Sequence, residues 1–348
     1  MKKILSYLLV FALAVSFLTS CELLADIEYP SIISENSDFE VHFIDVGQAD
    51  SALVLCDGEA MLIDGGNVSD SSVLYSYLKK NGVKHLDYVV ATHPHEDHLG
   101  GIPGALSYAT AETVFCPVTE ADSEPFASFK RAVEKQGREI TVPTAGESFS
   151  LGCAQVEVLA PRDMTLDTNN ISIVLRVVYG ETAFLFTGDM EREEERDILD
   201  SGCKLLADVL KVGHHGSENS STYPFLREVM PEYAVISVGE DNSYGHPTEE
   251  ALSRLLNTGA TVLRTDLLGD IVFGSDGKSV FLIDDEESIT PSGAEEEIKF
   301  VLNENSKKFH HKTCASIETI SEKNKETFSG ERDELISSGY EPCSRCNP

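Results

Sequence analysis

Thr92-His93-Pro94-His95-Glu96-Asp97-His98-Leu99-Gly100-Gly101 places three imidazoles and two carboxylates within six positions, directly after the apolar run Leu86 to Ala91. Neutral imidazoles and a carboxylate are the ligand types that borderline cations such as zinc prefer, so a His-x-His-x-Asp-His cluster at a strand end points to metal. Alternate residues leaving a strand face a common centre. His93 and His95 are therefore expected to hold one ion, and Asp97 and His98 a second beside it. The competing explanation is a solvated, His-rich surface loop. Six of the ten histidines fall in or near motifs of this kind, which weighs against it.

Other segments extend the pattern: Phe43-Ile44-Asp45-Val46-Gly47-Gln48-Ala49-Asp50-Ser51, Leu62-Ile63-Asp64-Gly65-Gly66, Leu185-Phe186-Thr187-Gly188-Asp189, Lys211-Val212-Gly213-His214-His215-Gly216-Ser217 and Gly245-His246-Pro247. Together with the cluster they resemble the metallo-β-lactamase superfamily, and within it the ComEC-type branch. That branch includes the hydrolase domain of bacterial competence DNA-uptake proteins and related free-standing hydrolases. The resemblance implies an α/β fold, a four-layer αββα sandwich of two mixed sheets with helices outside and a dinuclear site on one edge. Ala49 stands where the branch usually has glycine, which implies a small backbone adjustment.

β-Lactamases and glyoxalases of the superfamily carry a further histidine between the first cluster and the bridging aspartate, and here no histidine lies between His98 and Asp189. The third imidazole of the first metal is then expected from His214 or His215. His215 is favoured because the strand Asp208 to Val212 must turn at Gly213 before a side chain swings back. His246 is left for the second metal with Asp97 and His98, and Asp189 is the expected bridge, one oxygen to each ion. Asp64 reads either as an acceptor orienting a ligand or the attacking water, or as a structural turn residue. Asp45 and Asp50 leave the same choice open.

Two cations roughly 3.5 to 4 Å apart acidify a bridging water to hydroxide and offset charge on the substrate, so hydrolysis is the expected reaction. The ligand types suit zinc or manganese. Asp97, Asp64 and Lys211 are the candidate catalytic side chains. Lys211, Asn170, Asn242 and Ser217 lie beside the ligand motifs and read as contacts to an oxyanion or phosphate, or as ordinary turn and packing residues. Ser51, Ser172 and Ser217 read as loop or binding residues, not nucleophiles.

Met1-Lys2-Lys3 followed by the apolar run Ile4 to Leu18 reads as a secretory leader over residues 1–20. Leu18-Thr19-Ser20-Cys21 resembles a bacterial lipobox, which implies lipid on Cys21, a tether over 21–38, and anchoring to the cell membrane on its extracytoplasmic side. Cleavage nearby and release is the alternative.

The remaining chain is long enough for one large core, assigned to 39–284, plus a small unit. Lys and Arg number 27 against 59 Asp and Glu, a formal net charge of −32, which repels polyanions at long range. Proteins that grip DNA through phosphates offer clusters of Lys and Arg. Here only a strip near Lys211, Arg254 and Arg264 is a candidate, and weak, salt-dependent binding follows.

Strands are expected at 40–46, 51–55, 60–63, 87–91, 113–116, 155–159, 171–178, 182–186, 208–212, 234–238, 261–264, 271–273 and 279–283, with helices at 68–81, 125–136, 191–200, 222–229 and 248–257. Residues 285–297 form an acidic linker broken by Pro291 and Gly293. Beyond it, 298–348 offers His310 or His311 with Cys314, Cys343 and Cys346, the donor set of one tetrahedral structural zinc. The segment resembles small Ada-type metal-binding modules, which implies His310 as the histidine; a disulfide is the alternative. Cys56, Cys116, Cys153 and Cys203 read as core residues.

The expected function is a surface-anchored dinuclear metallohydrolase acting on a phosphodiester, DNA among the candidates, with no obligate protein partner. A teichoic-acid or small-molecule phosphoester hydrolase is the alternative, and a non-catalytic metal-binding lipoprotein a second. β-Lactam or thioester hydrolysis ranks lower because the expected histidine is missing.

Overall fold

Short, largely apolar runs build the larger unit, because successive strand residues face opposite sides and both faces of many of its strands are buried. The computed structural model describes residues 39–283, 300–303, 305–311, 317, 320–328 and 332–343, in two compact units divided after residue 284. The leader 1–20, Cys21, the tether, the linker 285–297, Cys314 and Cys346 lie outside the described residues.

The first sheet takes β1 (Phe39–Phe43), β2 (Ala52–Cys56), β3 (Glu59–Ile63), β4 (His85–Val90), β5 (Thr110–Phe115) and β6 (Ile140–Thr141). The second takes β7 (Ser148–Leu151), β8 (Ala154–Ala160), β9 (Val174–Tyr179), β10 (Thr182–Phe186), β11 (Val209–Lys211), β12 (Tyr233–Ile236) and β13 (Thr261–Arg264). β14 (Ile271–Ser275) and β15 (Val280–Leu282) then return to the first. The resulting orders are β15-β14-β1-β2-β3-β4-β5-β6 and β13-β12-β11-β10-β9-β8-β7. Both sheets are mixed. β1 to β3 pair antiparallel and β3 to β6 parallel; β7 to β10 pair antiparallel and β10 to β13 parallel.

Eight α-helices of this unit follow in chain order among the described residues: α1 (Ser71–Lys80), α2 (Glu96–Leu99), α3 (Ile102–Tyr108), α4 (Glu124–Lys135), α5 (Arg192–Ser201), α6 (Tyr223–Val229), α7 (Glu249–Thr258) and α8 (Thr265–Leu268). Between the sheets, Phe39, Val41 and Phe43 pack against Val156, Leu175, Phe184 and Phe186. On the outer face of the first sheet Leu53, Leu62 and Val89 meet Leu74, Ile102 and Phe129. On that of the second, Leu185 and Leu210 meet Ile198, Phe225 and Leu255. These three apolar layers define the αββα sandwich, and each fully buried phenylalanine stabilises it by roughly 1.5–3 kcal/mol.

Several elements differ from expectation. The strand expected from Ile171 begins at Val174, because Ile173 N–H donates to the Thr92 carbonyl and Ser172 N–H to Asn169, bending the segment toward the His cluster. α3 was not expected; Pro is tolerated in a first turn, and Ile102, Ala105 and Leu106 form its buried face.

The smaller unit holds β16 (Phe300–Asn303), β17 (Lys308–His311), β18 (Lys325–Phe328), α9 (Arg332–Ser337) and β19 (Glu341–Pro342). Its sheet runs β18-β16-β17-β19, over a core of Phe300, Leu302, Phe309 and Leu335.

Candidate metal centre

Three loops converge on one edge of the sandwich: Thr92 to His98 after β4, Thr187 to Met190 after β10, and Gly213 to Gly216 after β11. Backbone bonds fix them to one another and to the segments before β2 and after β3. Gly65 N–H donates to the His98 carbonyl at 2.6 Å, Asp50 N–H to Asp97 at 3.0 Å, and His214 N–H to Gly188 at 3.1 Å. At Gly101 a Cβ would sit 2.0 Å from the Gly65 carbonyl oxygen, so only glycine lets the His loop lie this close to the loop after β3.

Asp189 stands at the middle. Its Oδ1 lies 3.3 Å from His98 Nε2 and 3.7 Å from His215 Nε2, while Asp97 Oδ2 is 3.4 Å from that His215 nitrogen. One donor atom from each of Asp97, His98, Asp189 and His215 falls within 4.8 Å of all the others. On the other side, Asp189 Oδ2 lies 3.9 Å from His93 Nε2 and 3.7 Å from His214 Nε2, and His93 Nε2 is 2.9 Å from His95 Nδ1. Each oxygen of the Asp189 carboxylate thus has imidazole nitrogens 3.3 to 3.9 Å away.

The inner imidazoles are held from behind. His98 Nδ1 lies 2.9 Å from Asp64 Oδ2, and His214 Nδ1 2.9 Å from Glu191 Oε1. His215 Nδ1 is 3.0 Å from the Ser237 carbonyl. Ser172 Oγ lies 3.3 Å from His93 Nδ1 and accepts the Asp189 N–H, tying both residues together. Asp64 itself accepts from Thr92 N–H and Oγ1, both at 2.7 Å. A carboxylate or carbonyl on the rear nitrogen fixes the tautomer and leaves the front one basic.

The partition of the late histidines differs from the sequence reading. His215, favoured there as partner of His93 and His95, sits with Asp97 and His98. His214 takes the other side. Both adopt left-handed φ, 49° and 51°, which costs on the order of 1 kcal/mol or more per residue and turns the two rings 67° apart. His246, expected beside Asp97 and His98, stands behind His214 with ring centroids 5.5 Å apart.

Lys211 departs from its expected catalytic role, while its neighbours take the turn and packing roles that the sequence reading left open. Lys211 is buried, its Nζ 2.7 Å from Asp50 Oδ2 and donating to the Val212 carbonyl, so it does not face a substrate. Asn170 is fully buried and caps the Glu191 and Glu194 N–H groups. Asn242 shapes the His246 turn, accepting the His246 N–H, and Ser217 accepts from Asn219 N–H. Arg254 donates to the carbonyls of Glu218, Ser220 and Ser221, and Arg264 pairs with Asp266. The basic strip expected to hold nucleic acid is therefore engaged by the protein itself. Asp45 accepts the Gly47 N–H within its own turn.

Glu191 was missed; Asp50, left open between an orienting acceptor and a turn residue, lies 3.1 Å from His215 Nδ1, and Ser172, read as a loop or binding residue, lies against His93. A glutamate two residues after Asp189 was the available signal for Glu191.

Mutual charge pervades the cluster. Burial acts to raise the Asp189 carboxyl, yet His98 and His215 hold it well below the ordinary range. Burial opposes a charged His215, but Asp189 and Asp50 push it up to about 10. His93 goes the other way, driven down by burial and by His98. His98 Nε2, His215 Nε2 and Asp189 Oδ1 are buried without a hydrogen-bond partner. Orphaned buried donors and acceptors aimed at each other, with imidazole and carboxylate chemistry, fit divalent cations.

In the smaller unit, His310 is buried with Nδ1 unpartnered, and Cys343, just past β19, donates its N–H to the carbonyl of Phe309, the residue before His310.

The family model described as Metallo-beta-lactamase superfamily matches residues 44–240. The chain is 32% identical to ComE operon protein 3 of Bacillus subtilis (strain 168) over 264 residues, 70% of this chain and 34% of that protein. It is 35% identical to Competence protein ComA of Neisseria gonorrhoeae over 254 residues, 70% and 33% respectively. With Recombination protein 2 of Haemophilus influenzae it shares 28% identity over 240 residues, 67% and 28%. The chain thus spans about a third of the length of these curated relatives. Among solved structures, the metallo-beta-lactamase fold protein YhfI from Bacillus subtilis matches with a TM-score of 0.46 at 13% identity, covering 70% of this chain and all of that one. CmlA, a diiron beta-hydroxylase from Streptomyces venezuelae, matches at 0.47 and 14%, covering 69% and 55%.

Proposed function

The chain belongs to the metallo-beta-lactamase superfamily as a metal-dependent hydrolase with ComEC-type relatives, and we propose that it is a surface-anchored dinuclear phosphodiesterase. The observation that carries this is the division of donors by Asp189. His93, His95, His214 and Asp189 Oδ2 would hold one ion; Asp97, His98, His215 and Asp189 Oδ1 the other. When bound, two divalent ions, zinc or manganese, supply a nucleophile at neutral pH and offset charge on a phosphate.

The protein's own groups do the rest. Asp64, Glu191, Ser172 and the Ser237 carbonyl keep the rear nitrogens engaged, so the front ones stay basic. Asp97, with 31% of its side chain exposed, is the carboxylate on the open side of the cluster. Relatives named for competence and recombination favour DNA as substrate. The engaged Lys211, Arg254 and Arg264 favour a smaller phosphoester, including teichoic-acid fragments, as the second reading.

The proposal extends to the chain ends. Lipid on Cys21 would hold the enzyme at the extracytoplasmic face of the membrane, and one structural zinc on His310, Cys314, Cys343 and Cys346 would staple the smaller unit. The buried, unpartnered His310 Nδ1 supports the latter.

The full chain loaded with zinc or manganese is expected to cleave a single-stranded oligonucleotide and a chromogenic phosphodiester. Asp189→Asn should lose both activity and one or more bound ions by elemental analysis. Turnover restricted to phosphomonoesters would favour the second reading, and no turnover by the metal-loaded chain would remove the hydrolytic proposal.

A further inference from the structure

Tyr244 is 70% exposed, yet it belongs to a firmly held turn. Asn242 Nδ2 donates to the Gly239 and His246 carbonyls, and its Oδ1 accepts the N–H groups of Tyr244 and His246. The turn rests on Gly216, where a Cβ would come within 2.6 Å of Pro247. The Tyr244 ring stacks on His246 with centroids 5.9 Å apart and planes 25° from parallel. His246 meets His214 edge-on at 5.5 Å, and His214 Nε2 is 3.7 Å from Asp189. Four side chains in contact thus lead from the donor cluster to an aromatic face at its rim. Beside that face, a Cβ at Gly245 would meet nothing within 4 Å.

Charge gives this face its meaning. The cations near the ligand loops are engaged internally, and a net charge of −32 repels polyanions. Contacts that grip phosphates are therefore scarce. Stacking on an aromatic ring needs no charge, accepts any base, and contributes roughly 5- to 150-fold in affinity per base. Bases in a duplex have their faces covered; those of an unpaired strand do not.

Resting on the phosphodiesterase reading above, we infer that Tyr244, backed by His246, is the stacking platform for a base next to the scissile phosphate, so that an unpaired strand is selected through its bases and not through its backbone charge. Tyr244 is on this account a specificity-determining residue.

The chain contains no tryptophan, so Tyr244→Trp in the full protein introduces a single reporter. Its fluorescence is expected to be quenched on titration with a short oligodeoxyadenylate, in chelator and without turnover, and to stay unchanged with an abasic strand of the same length. In the metal-loaded enzyme, Tyr244→Ala should lower the preference for the base-bearing over the abasic strand in kcat/KM roughly tenfold, and Tyr244→Phe should restore it. Equal responses to both strands, or quenching by neither, would overturn the platform. Quenching without any phosphodiester cleavage would leave the platform and remove the phosphodiesterase reading; cleavage without quenching would do the reverse.

Discussion

Lys211 Nζ lies 2.7 Å from Asp50 Oδ2, with both side chains buried beneath the candidate metal centre. Burial alone would raise the Asp50 carboxyl, but Lys211 and His215 hold it well below the ordinary range. Removing one member of a buried pair leaves an uncompensated charge and costs about 3–5 kcal/mol. Lys211→Met is expected to lower the free energy of urea unfolding of metal-free protein by about that amount. A loss below about 1 kcal/mol, the range of surface pairs, would show that the ammonium does not serve as this counter-charge.

Glu191 and His246 separate support from bystander. Glu191 accepts from His214 Nδ1 at 2.9 Å, so Glu191→Ala should weaken metal binding roughly 10- to 100-fold, measured against a competing chelator dye. His246 touches His214 only ring to ring. His246→Ala is expected to keep the full metal stoichiometry. If it loses an ion instead, the sequence-based pairing of His246 with Asp97 and His98 returns.

Gly101→Ala tests the clamp on the His loop. A methyl 2.0 Å from the Gly65 carbonyl oxygen has no room, and overpacking of this kind typically costs about 1–3 kcal/mol. We expect a lower Tm together with weaker metal binding, since the displaced loop carries His93 to His98. Unchanged metal affinity in the folded variant would mean the loop is positioned by something other than this contact.

Glu194 links stability to pH away from the centre. Burial pushes its carboxyl up to about 7 from the ordinary 4.5, and its Oε2 has no hydrogen-bond partner. Between those two values the folded protein keeps a proton that the unfolded chain releases, so stability falls as pH rises through the window and then levels off. Glu194→Gln should gain roughly 1–3 kcal/mol at pH 8 and far less at pH 5. Urea unfolding of both proteins at the two pH values measures the difference.

Local signals carried much of the fold. The alternation in Phe39–Phe43, the apolar run Thr182–Phe186 and the helix stop at Gly202 depend on neighbours in sequence, and the elements sit within a few residues of expectation. What escaped was set by distant partners. The bend that shortens β9 comes from a bond to Thr92, and α3 forms around a Pro-Gly pair because its buried face packs in the outer layer. At the centre, spacing drew attention to the histidines, but their sorting into two groups depends on consecutive left-handed residues, which no side-chain pattern announces. The place of Lys211 was equally hidden, because a lysine beside ligand motifs reads the same whether it faces outward or pairs inward with Asp50.

The pairing of β14 with β1, His42 opposite Val272, bears on the order of synthesis. The earliest strand of the domain waits for nearly the last to emerge from the ribosome before its outer edge is covered, and an uncovered strand edge is a template for association with other chains. A nascent chain halted before residue 271 would thus carry every ligand of the proposed centre yet expose that edge, which makes the final hairpin a closing latch for the newborn domain.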